Sequence, residues 1–69
     1  MTYDEFLLQI HSKYDNQENP KALRLGQMFF NELLTVRPNI AKELRGSMID
    51  PFFKERITEV VSNFVRERW

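Results

Sequence analysis

The chain has 69 residues, ten acidic and ten basic side chains, one histidine and no cysteine. That length gives at most one domain, and the composition excludes disulfides and thiolate or multi-histidine metal sites. A formal net charge of zero lacks the basic excess that non-specific nucleic-acid binding needs. No apolar run approaches the ~20 residues of a membrane-spanning helix, and the start Met1-Thr2-Tyr3-Asp4-Glu5 is acidic where a signal peptide is basic. These features predict a soluble cytoplasmic domain with no cofactor and no metal.

A domain this small buries only about 60% of its unfolded surface, so it depends on large side chains. Six Phe, two Tyr and one Trp supply them. In chain order, the first helix is predicted from Tyr3 to about Tyr14. Thr2 and Glu5 have the spacing of a capping box. Tyr3, Phe6, Leu7, Ile10 and Tyr14 share one face, and Leu8 lies off it. The polar stretch from Asp15 to Asn19 reads as a loop.

A second helix is predicted from Pro20 to Val36. Asn19 is a preferred cap, Pro20 suits the first helical position, and Pro38 disfavours helix at Arg37. Apolar residues cover well over half of this helix, which marks it as the central element. Its polar stripe narrows to Arg24, Gln27, Asn31 and Thr35. Gly26, costly inside a helix, points to close approach by another helix. A short third helix is predicted from Pro38 to Arg45, with Ile40, Ala41 and Leu44 inward and Gly46 as a left-handed residue after its end. A fourth is predicted from Pro51, capped by Asp50, to near the C-terminus. Its apolar stripe is Phe53, Ile57, Val60, Val61 and Phe64. The expected fold class is all-α, a single four-helix domain of three longer helices and one short one around a buried helix 2.

Arg24-Leu25-Gly26-Gln27 with Phe30-Asn31, then Leu34, Arg37-Pro38, Ala41, Leu44-Arg45-Gly46 and Asp50-Pro51-Phe52-Phe53, resembles a family of short phage-encoded proteins. The resemblance runs from Arg24 to Phe53. It implies a phage or prophage-like origin and brings no catalytic residues with it.

Three sets of residues stand out as candidate sites. Arg24, Gln27 and Asn31 share a helix face and carry groups that bond carboxylates or backbone. Solvation of the exposed edge explains the same stripe. Arg37, Arg45 and Asp50 lie near turns. An Arg–Asp pair there orders a turn; two arginines at a helix start bind an anion, although Asp50 would repel it. Phe52 and Trp69 are large aromatics off the core stripe, suited to an interface or to plugging the bundle end. His11, alone beside the first helix's core face, has no ligand or acid–base partner in the pattern. The chain is therefore expected to be non-enzymatic, acting through a homo-oligomer, a dimer above all, or a protein partner. The competing class is a nucleic-acid accessory protein, with helices 3 and 4 arranged as a helix-turn-helix. The apolar start Pro51-Phe52-Phe53 and the neutral charge argue against it.

Overall fold

The computed structural model describes residues 1–18, 22–49 and 56–69. Among them the chain forms four helices and no strand: α1 (Tyr3–Asp15), α2 (Leu25–Val36), α3 (Pro38–Arg45) and α4 (Glu59–Arg68). The domain is all-α. α2 sits centrally, packed against both α1 and α3, and α4 joins from the α3 side. Among the described residues no helix is long and apolar enough to cross a membrane.

Local chemistry sets two helices as expected. At α1 the Thr2 hydroxyl accepts from Glu5 N at 3.1 Å, and Glu5 Oε1 accepts from Thr2 N at 2.9 Å. Two amides that lack helical partners are thereby satisfied. α3 starts at Pro38, whose missing N–H would have no helical partner. Its end differs from expectation, because Gly46 is right-handed (φ −80°) and no left-handed residue closes the helix. Ser47 closes it instead, with its amide and its hydroxyl both donating to Leu44 O, at 3.0 and 2.6 Å.

The other two helices start later than the sequence predicts. α2 begins at Leu25, with Arg24 as an extended N-cap residue that makes no side-chain cap bond. The cause is Gln17. Its side-chain amide accepts from Leu23 N at 3.1 Å and donates to Leu23 O at 3.3 Å. Those backbone groups are committed outside any helix, so residues 22–24 stay non-helical. The proposed start at Asn19-Pro20 lies outside the described residues. α4 begins at Glu59, with the Thr58 hydroxyl accepting from Val61 N at 3.3 Å. Ile57 and Thr58 are β-branched and favour an extended entry over another helical turn. Residues 46–49 and 56–58 lie outside both α3 and α4.

The core is one cluster drawn from all four helices. Phe6, Ile10, Phe29, Leu33, Leu44 and Val65 are its largest fully buried side chains. Phe6 and Phe29 meet edge to face at 5.6 Å, and Tyr3 meets Phe29 at 6.4 Å. Burial of each such side chain stabilises by roughly 1.5–3 kcal/mol. α2 buries Leu25, Gly26, Met28, Phe29, Phe30 and Leu33 against its own chain. α4 presents Val61, Ser62 and Val65 to the core. The predicted stripe of α4 is thus rotated: Val60 is exposed, Ile57 precedes the helix, Phe64 is half-buried, and Phe53 lies outside the described residues.

Candidate interaction surface

On α2 the arc that the bundle leaves uncovered carries Gln27, Asn31, Leu34 and Thr35. Asn31 and Thr35 are exposed, Gln27 is half-buried, and Leu34 is 43% exposed. Gln27 and Asn31 share this arc because they are one turn apart, and Leu34 falls three residues further on. Arg24, predicted on the same stripe, stands just ahead of the helix and is exposed. Thr35 donates to the Asn31 backbone carbonyl at 3.3 Å. The arc has no charge within the helix, in a chain that is 29% charged.

Trp69 is seated elsewhere, where the two chain ends meet. Its indole N–H donates to Met1 O at 2.9 Å. The ring packs on Tyr3 at 5.7 Å and on Phe6 at 5.1 Å, and the Arg37 guanidinium lies 4.4 Å from its centre. This intramolecular seat gives the terminal aromatic a place within its own chain. Beside it lies an open depression of about 310 Å³, lined by Met1, Thr2, Tyr3, Asp4, Arg66 and Trp69. Within its lining Arg66 donates to Asp4 at 3.1 Å.

Arg37 and Arg45 are engaged by different rings. Arg37 also donates to Val36 O at 2.9 Å, and Arg45 lies over Phe30 at 5.3 Å. Asp50 and Phe52 lie outside the described residues, so the pairing of Asp50 with either arginine and the seat of Phe52 are not described. His11 is exposed on α1. Among the described residues no three His, Asp or Glu side chains group as metal ligands.

Sequence reasoning missed the polar contact that ties the first helix to the last. Tyr3 OH donates to Ser62 Oγ at 2.9 Å inside the core. The only available signal was a small hydroxyl beside the apolar stripe of α4. Burial pushes the Tyr3 phenol above its ordinary pKa of 10.0, against the pull of Ser62 and Arg66. The folded state therefore holds this proton more tightly than the unfolded chain does. Its contribution to stability is fully present below pH 10 and is lost as pH rises through the raised folded value. Urea midpoints measured from pH 8 to pH 11 should fall more steeply for the native chain than for Tyr3→Phe. Equal slopes would show that Tyr3 ionisation is not linked to folding.

No protein-family model matches this chain, and neither a curated protein nor a solved structure matches it.

Proposed function

We propose that the chain is a non-catalytic helical module, of phage or prophage-like origin, that works in the cytoplasm by binding protein. The partner is a second copy or another protein, and the contact is the outward arc of α2. The observation that carries this reading is the uncharged arc itself, with Leu34 at 43% exposure among Gln27, Asn31 and Thr35. Two amides and a hydroxyl give directional bonds to a partner backbone, and the leucine supplies apolar area at low desolvation cost. The sequence resemblance from Arg24 to Phe53 spans this helix and supports the origin.

A photo-crosslinking residue at Asn31 should give a discrete covalent protein adduct in cells that express the chain. The same residue at Glu67, exposed on α4, should not. No adduct from position 31, or equal adducts from both positions, would overturn the reading.

A further inference from the structure

The net charge of zero hides a division along the chain. Residues 1–18 carry Asp4, Glu5, Asp15 and Glu18 against the single base Lys13. Residues 22–49 carry Arg24, Arg37, Lys42 and Arg45 against Glu32 and Glu43. On α1 the outward face holds Leu8, 71% exposed, with Asp4 one turn before it and Asp15 two turns after it. Asp15 makes no ion pair among the described residues, while Asp4 pairs with Arg66. On α2 the outward arc holds Leu34 behind Gln27 and Asn31, with exposed Arg24 at its entrance. Each face is thus a leucine among polar groups, one set acidic and the other basic or uncharged.

We propose that the outward face of α1 docks on the outward arc of α2 in a second copy, so that the chain associates head to tail. This rests on the reading that the α2 arc is a protein contact, and it names the occupant. Charge decides the pairing. Two α1 faces brought together offer Asp15 no base beyond Lys13, which pairs with Glu32, and two α2 arcs offer Arg24 no acid. Only unlike faces set Asp15 against Arg24 while burying Leu8 on Leu34. Made once per pair, such a contact is heterologous and leaves the other face of each copy free. A 13-residue helix is about 20 Å long, so the contact is small, transient and weakened by salt.

Sedimentation of the full chain over a range of concentrations tests this, with two double variants that reverse charge on one face each. Native chain should sediment above the monomer mass at high concentration in low salt, and return to monomer in high salt. Leu8→Lys with Asp15→Lys, and Arg24→Glu with Asn31→Glu, should each stay monomeric, and an equimolar mixture should associate again. These positions are exposed, and helical circular dichroism equal to the native chain shows that both variants fold. A native chain that stays monomeric at every concentration overturns the proposal, yet leaves the α2 contact intact if position 31 crosslinks another protein. Loss of association in the α2 variant alone means a symmetric α2 dimer, and also overturns it.

Discussion

Replacing Phe29 by alanine should leave the chain largely unfolded at 37 °C. Phe29 has no exposed surface and lies on α2, the helix that packs against both α1 and α3. Its ring meets Phe6 at 5.6 Å and Tyr3 at 6.4 Å, so its loss empties the point where α1 rests on α2. A buried Phe→Ala change costs about 3–5 kcal/mol, from lost transfer energy and the cavity left behind. A domain of 69 residues has only about 3–10 kcal/mol in total, at roughly 0.05–0.15 kcal/mol per residue. The substitution therefore consumes most of the stability, and no disulfide offsets it. Leu8→Ala is the matched control: its side chain is 71% exposed, and its change should stay within about 0.5 kcal/mol. Thermal melts followed by far-UV circular dichroism separate the two. A Phe29→Ala melt within about 5 °C of the native chain would mean that α2 is not the centre of the core.

The parts of this fold that were legible in the sequence are those set by neighbouring residues. Thr2 with Glu5 and Pro38 fixed the starts of α1 and α3 because a cap acts within three residues. The start of α2 was not legible, because it is decided by Gln17, which reaches across to Leu23 from beyond α1. Asn19-Pro20 carries a genuine helix-start pattern, and no periodicity reveals a competing side-chain bond. At α4 the same pattern at Asp50-Pro51 drew attention from Thr58, the residue that caps the helix. An early start also turned the expected face, so Val60 was placed inward while Val65, which has no exposed surface, was missed. On the candidate surface Gln27 and Asn31 were legible as polar residues one turn apart on an apolar helix. Leu34 was not, because a leucine on such a helix reads as core unless the positions of its neighbours are known. The Tyr3–Ser62 bond and the seat of Trp69 join residues near opposite ends of the chain, beyond any local pattern.

Trp69→Ala should lower stability by about 2–3 kcal/mol, a large effect for a half-buried residue at the end of a helix. Tryptophan truncation in a core costs about 3–5 kcal/mol, and partial exposure brings the figure down. What keeps it large is the number of things the ring does at once. It closes the aromatic set of Tyr3 and Phe6, its N–H occupies the Met1 carbonyl, and its face receives Arg37 from the end of α2. Besides the buried Val61 and Val65, the remaining ties of α4 are polar: Tyr3 to Ser62, Arg66 to Asp4, and Arg68 to Glu43 at 3.0 Å. Exposed ion pairs of that kind contribute about 0–1 kcal/mol each, so the indole outweighs any one of them. For a domain of this size the melting temperature should fall by roughly 10–20 °C. Trp69→Phe keeps a ring on Phe6 but loses the N–H bond, and should cost about 1 kcal/mol. A double-mutant cycle with Arg37→Ala isolates the guanidinium contact, with a coupling of about 0.5–1 kcal/mol. A Trp69→Ala melt within about 3 °C of the native value would show that the indole does not hold α4 to α1. The buried Val61 and Val65, with the Tyr3–Ser62 bond, would then have to carry that contact.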